Sequence, residues 1–166
     1  MIQRAVSADH ADKINRILIH PGIWNSIADD FSGEPQDYDC YEIIQKGEDV
    51  AIILSDFETI AFIVHRVNGI TWEGHFAITP EKRKVKFLLQ EAEEALNYIF
   101  EKTSCRKLIG FIPEDNKAGL LFLRECGFKV EGNCTKSILQ DRILKDRVLV
   151  GLNKKDWRKE ATTNGS

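Results

Sequence analysis

In the run "TWEGHFAI" a carboxylate, Glu73, and an imidazole, His75, stand two residues apart in a pattern that alternates like a β-strand. Alternation puts Glu73, His75 and Ala77 on one face and Trp72, Gly74, Phe76 and Ile78 on the other. A glutamate beside a histidine can accept a proton from an attacking nucleophile, and the imidazole titrates near neutrality. The same pair can equally satisfy itself as a solvated or mutually bonded couple on an open strand face. The sequence leaves both readings standing.

A second stretch follows at once. Lys82, Arg83, Lys84 and Lys86 gather where "HFAITPEKRKVKFLLQEAEEALNYIF" turns from strand to helix, a junction with no glycine. Cations at the start of a helix attract phosphate, and a local cluster of this size suits one small polyanion as well as it suits a solvated helix start. The formal net charge of -3 excludes a general nucleic-acid binder, which needs a cationic footprint to displace counterions. His10, His20 and His65 have no partners at metal-ligand spacing, so no metal site is expected. The four cysteines form no CxxC pair and read as free, mostly buried thiols.

The elements that must hold these residues follow from periodicity. "MIQRAV" reads as a strand, Ser7 as the N-cap of a helix over "ADHADKINRILIH", and Pro21-Gly22 as its stop, with a second helical piece in "IWNSIADDF". "SGEPQDY" is a loop. "CYEIIQKG" and "DVAIILSDF" predict one hairpin, and "TIAFIVHRVNGITWEGHFAI" another turning at Asn68-Gly69, so that residues 40 to 78 form an antiparallel meander. Thr79 and Pro80 start a helix whose apolar face is Val85, Leu88, Leu89, Ala92, Ala95, Leu96, Ile99 and Phe100. "RKLIGFIP" is a buried strand lying parallel to the one before that helix, and Asn116 caps a further helix closed by Gly127. "KVEGNCTKSIL" and "RILKDRVLVGL" pair about the polar turn Gln140-Asp141-Arg142, and the tail from Asn153 to Ser166 frays. The class is α/β (α+β), a mixed and largely antiparallel twisted sheet flanked by helices, in one domain over residues 1–152 followed by a polar tail over 153–166.

From Glu73 to Trp157 the chain resembles the GNAT superfamily of N-acetyltransferases. The pieces that carry the likeness are "FAITPEKR" leading into the long helix, "CRKLIGFIPEDNKAGLLFLRECGFKVEG" with its Asn-led helix and terminal Gly-Phe, and the closing "DRVLVGLNKKDW". "ILIHPGIWNSIADDF" further resembles the N-terminal part of phage-encoded members. The resemblance implies acetyl-CoA as acyl donor and direct attack by an amine on its thioester. Glu73 or His75 would be the base, the backbone from Phe76 to Ile78 would position the acyl group, Arg83, Lys84 and Lys86 would lie at the pyrophosphate, and Asn116 would meet cofactor or substrate.

Three departures run against this. The family's pyrophosphate loop follows Q/R-x-x-G-x-G/A, and here Arg83 keeps the first position while Lys86 and Leu88 replace the two small residues. Without glycine the backbone approaches phosphate less closely, so a side-chain grip by lysines would have to substitute. The tyrosine that protonates the leaving thiolate in many members aligns with Leu123, which carries no proton, and nearby Cys126 reads as core. Two functions therefore remain open: an acetyltransferase using a small-molecule or protein amine acceptor, and a non-catalytic GNAT-fold protein that binds a protein partner or another ligand in the same cleft. With neither a signal peptide nor a membrane-spanning run, a cytoplasmic location is expected, without membrane partners.

Overall fold

The computed structural model describes residues 2–4, 6–37, 39–45, 50–55, 60–79 and 85–157. The elements are β1 (Ile2–Arg4), α1 (Ala8–Leu18), α2 (Pro21–Ile27), α3 (Cys40–Ile44), β2 (Val50–Ser55), β3 (Ile60–Arg66), β4 (Thr71–Ile78), α4 (Val85–Lys102), β5 (Lys107–Pro113), α5 (Lys117–Glu125), β6 (Lys129–Gln140) and β7 (Ile143–Asn153). The strands form one sheet in the order β1-β2-β3-β4-β5-β7-β6, antiparallel except for the parallel pair β4–β5. The α/β class and the parallel crossover through the long helix are as the sequence predicts. The predicted start of that helix from Pro80 lies outside the described residues, since 80–84 are not among them.

Local chemistry explains most boundaries. Ser7 Oγ accepts from His10 N at 3.3 Å and opens α1. Pro21 opens α2 as well as ending α1: His20 is the N-cap, its Nδ1 accepting from Gly22 N at 3.1 Å, and proline at the first helical position gives up an N–H that has no helical partner.

One predicted strand is a helix. "CYEII" in Cys40–Ile44 forms α3, capped by Asp39, whose carboxylate accepts from Tyr41 N at 2.8 Å. Cys40, Ile43 and Ile44 are spaced by three and four as well as by one, so a single helical turn turns all three onto the α1 side. Cys40 N also donates to Asn15 Oδ1 of α1 at 2.9 Å, a contact with no counterpart in a hairpin.

The sheet has a core on each face. On one side Phe62, Val64, Trp72 and Leu108 pack against Ala92, Leu96, Ile99 and Phe100 of α4 and Leu123 of α5. On the other, Ala61 and Ala77 pack against Ile14, Ile17 and Leu18 of α1, Ile23 of α2 and Cys40 of α3. Gly74 belongs at the tightest point of the first core: a Cβ there would stand 2.9 Å from the Phe62 ring and 3.2 Å from Leu108. Gly127, at φ +86°, closes α5 in the left-handed conformation that glycine adopts at little cost.

Part of the predicted tail is docked. Residues 154–157 make one helical turn, Trp157 Nε1 donates to Asn97 Oδ1 of α4 at 2.8 Å, and the Lys154 ammonium donates to the Phe100 carbonyl. Residues 158–166 lie outside the described part of the chain. No helix among the described residues is long and apolar enough to cross a membrane.

Candidate active site

The site begins where β4 and β5 part. Their pairing covers only Thr71 to Glu73 against Lys107 to Ile109; past that point Gly74–Ile78 of β4 and Gly110–Pro113 of β5 run on with no strand between them among the described residues. Gly74 and Gly110 meet at the fork, where a Cβ on Gly110 would touch the Gly74 carbonyl at 3.4 Å. β4 keeps its pairing to β3 up to Ile78, and β5 keeps its pairing to β7 up to Pro113. Each strand therefore turns one edge of backbone N–H and C=O groups into the wedge.

The wedge is a cleft of about 510 Å³ that reaches both faces of the sheet. Its α4–α5 side is apolar, walled by Phe76, Leu88, Leu89, Phe122 and Leu123. Phe76 is fixed by a stacked contact with Phe62 (centroids 4.0 Å apart) and an edge contact with Phe122 (5.5 Å). Asn116 and Glu125 add polar groups at the two ends of α5, and the opposite side is walled by α2 and carries His75 of β4, Ser26 of α2 and Arg147 of β7.

His75 belongs to a three-membered cluster. Glu73 bridges two imidazoles, Oε2 at 3.5 Å from His65 Nε2 and Oε1 at 3.6 Å from His75 Nε2, while the two rings stack with centroids 5.9 Å apart. All three stand on the face that also carries Ile63 and Ala77. Burial lowers the His75 pKa from its ordinary value near 6.5; the charges of His65 and Arg147 act in the same direction and Glu73 opposes them. His75 is therefore a neutral imidazole at pH 7, able to accept a proton.

The predicted site residues divide three ways. Glu73 and His75 are together, and His75, Phe76, Ile78 and Asn116 all line the cleft. Asn116 is also the N-cap of α5, its Oδ1 accepting from Gly119 N at 2.9 Å, which leaves its amide N–H groups as the part that can reach a ligand. Lys86 lies in the first turns of α4 with its backbone alone described, and Arg83 and Lys84 fall outside the described residues. Leu123 is buried at the edge of the cleft, and Cys126 is buried with its thiol pushed up to about 12 by burial, with Glu125 adding to the effect, so it is an inert core residue.

Two functional candidates escaped the sequence reading. His65 has no partner at metal-ligand spacing in the sequence, yet it faces Glu73 directly across the β3–β4 ladder. Arg147 lies more than 70 residues from His75 in the chain, and only the order β5-β7 brings it to the cleft. A strict two-residue turn at Asn68-Gly69 would have set His65 opposite Trp72. Instead Asn68 Oδ1 accepts from both Ile70 N (3.1 Å) and Thr71 N (2.9 Å), the turn is longer, and the register moves by one to pair His65 with Glu73.

No sequence family model matches the chain, and no curated protein matches it. Solved structures do. A spermidine N-acetyltransferase from Vibrio cholerae in complex with CoA and spermine is 14% identical, superposes with a TM-score of 0.78, and matches 95% of this chain and 97% of its own. The spermidine/spermine N-acetyltransferase SpeG from the same organism in complex with manganese ions is 14% identical with a TM-score of 0.73, over 97% of this chain and 96% of its own. With its mixed sheet parted between β4 and β5 and helices on both faces, the chain has the fold of the GNAT N-acetyltransferases.

Proposed function

We propose that this protein transfers an acetyl group from acetyl-CoA to the primary amine of a small molecule. The observation that carries the reading is the course of the cleft: it runs from an apolar wall on the α4–α5 side, through the fork of β4 and β5, to the face that bears Glu73 and His75. The residues present fit the donor. A slender chain with amide groups matches two strand edges facing an apolar slot, since the edges offer N–H and C=O partners and the slot excludes water. Lys86, with Lys84 and Arg83, would hold the phosphates at the start of α4 by charge in place of the missing glycines.

Acetyl-CoA, when bound, supplies the acyl group as a thioester. His75 would take one proton from the ammonium form of the acceptor at Nε2 or Nδ1, giving a neutral nitrogen whose attack on the thioester carbonyl forms the amide C–N bond as the C–S bond breaks, with the second proton of that nitrogen passing to the departing thiolate directly or through water. Glu73 then stabilises the imidazolium through its Oε1, and His65 shares the same carboxylate on its other oxygen. The edge from Phe76 to Ile78 and the Asn116 amide orient the acyl group, and alignment of the two reactants in a confined cleft supplies much of the acceleration.

One observation favours a second reading, a GNAT-fold protein that binds without turnover. Leu123 occupies the place where a proton donor for the leaving thiolate is expected, and no tyrosine lines the cleft among the described residues. Calorimetric titration of acetyl-CoA at low and physiological salt separates the two. Saturable binding that weakens in Lys84→Ala/Lys86→Ala, followed by acetylation of an amine, supports the enzyme. Binding without turnover across an amine panel supports the second reading, and no binding at millimolar ligand removes the first.

A further inference from the structure

Among the described residues Arg147 has no carboxylate partner. Alternation along β5 and β7 sends Leu108, Ile112, Val148 and Val150 into the α4–α5 core, so Phe111 and Arg147 stand on the other face, the one that carries His75. The guanidinium lies 4.9 Å from the Phe111 ring centroid and, among the described residues, is held by one hydrogen bond, Nε donating to Ser137 Oγ at 3.1 Å. Ser137 is itself fixed by donation to the Cys134 carbonyl at 2.8 Å. The two terminal amino groups of Arg147 have no acidic partner among the described residues, although the side chain is half-buried at the wall of the cleft.

A half-buried guanidinium that lies over an aromatic ring and is held in place by its Nε offers its terminal N–H fork to a planar anion. The fork is in the same cleft as His75, where the amine must sit, and near enough for its charge to act on that imidazole. Around it the lining is apolar, with Ile23 and Ile27 of α2 and Ile138 of β6. Of the described residues lining the cleft, Glu125 is the one carboxylate, with Glu73 adjoining beneath His75. That is the wrong charge distribution for a polycationic acceptor.

We propose that the α2 side of the cleft is an acceptor subsite for an amine that also carries a carboxylate, an amino-acid-like molecule with an apolar side chain, whose carboxylate pairs with Arg147 while its amine reaches His75. This deepens the acetyltransferase reading and rests on it for the chemistry, but its test does not need turnover.

The experiment measures direct binding to the full chain of two probe pairs that differ only in the carboxylate, L-phenylalanine against phenethylamine and L-leucine against 3-methylbutylamine, with spermidine as the polycation. Each is measured in the wild type, Arg147→Gln and Arg147→Lys, with and without acetyl-CoA. The expected result is tighter binding of the acid-bearing member of a pair by on the order of ten- to a hundredfold, as for a charged hydrogen bond. Arg147→Gln abolishes that preference, Arg147→Lys restores part of it, and affinity for phenethylamine and for acetyl-CoA stays unchanged. Equal binding within each pair, binding of neither member, or tighter binding of spermidine overturns the subsite. So does an Arg147→Gln variant that loses acetyl-CoA affinity without changing the preference, since the guanidinium would then serve the donor. Absence of acetyl-CoA binding alongside an intact carboxylate preference would instead remove the acetyltransferase reading and leave the subsite standing.

Discussion

The two faces of the sheet that meet at the β4–β5 cleft are built from the same strands and do opposite things. Toward α4 and α5, alternate residues of β3 and β4 are Phe62, Val64, Trp72 and Phe76, buried or nearly so, with Phe62 and Phe76 locked by a ring contact. Toward α1 and α2, the residues between them are Ile63, His65, Glu73 and His75, with the two imidazoles left partly open to solvent around a shared carboxylate. A strand in the middle of a sheet presents two surfaces of independent chemistry. One here is a packing surface, and the other keeps titratable groups in a partly desolvated place. The difference also assigns the expected cost of mutation: on the first wall it falls on stability, on the second on the proposed activity.

The largest expected effect tests that division on the polar wall. His75→Gln should lower kcat/KM for acetylation by about 10² to 10⁴, the usual contribution of a positioned base, with the melting temperature at pH 7 close to that of the wild type. Steady-state kinetics beside a thermal melt checks both halves, and a His75→Gln protein with full activity would remove the imidazole from the mechanism. Next in size, and on the apolar wall, Phe62→Ala should cost about 3–5 kcal/mol of stability, because it deletes a fully buried ring and the stacked contact that fixes Phe76. Denaturant unfolding measures it. A loss under about 1 kcal/mol would mean that the wall re-closes, against the close packing expected of such cores.

The smallest effect is electrostatic. The His75 pKa is lowered in the folded chain, mainly by burial, so below the unfolded value of 6.5 the unfolded state binds the extra proton. The contribution of His75 is thus fully present above that pH and is lost progressively as pH falls from 6.5 toward the folded pKa. Melting temperature should fall more in the wild type than in His75→Gln between about pH 7 and pH 5. Parallel curves for the two proteins would show that His75 titrates in the folded state as it does in the unfolded one.

Much of this architecture is legible in the sequence where a pattern has one solution. The apolar face of α4 from Leu88 to Phe100, the Ser7 and Asn116 caps and the Gly127 stop each belong to one element, and each is found in the structure. Patterns with two solutions fail. Cys40, Ile43 and Ile44 fit a strand or one helical turn, and contact with α1 selects the turn. The hairpins make the same point from both ends. Asn68-Gly69 advertises a tight two-residue turn, yet neither residue has positive φ, and the Asn68 side chain builds a longer one. The tight turn with positive φ at both central residues is made by Asp141 (φ 54°) and Arg142 (φ 62°), which have no intrinsic preference for it approaching that of Asn-Gly. Asp30, more than a hundred residues earlier, supplies what is lacking by accepting from Asp141 N at 2.9 Å and Arg142 N at 2.7 Å.

By itself the sequence determined which residues could do chemistry on β4, the order of strands and helices after Arg66, and the parallel crossover that creates a fork between β4 and β5. Those follow from alternation, helical periodicity and capping, all of which act within a few residues. Tertiary structure alone decided that His65 shares a carboxylate with His75, that α2 walls the cleft, and that Arg147 lines it with no acidic partner among the described residues. Each of these depends on register or strand order, where a shift of one residue sends a side chain to the opposite face and no local signal records the choice.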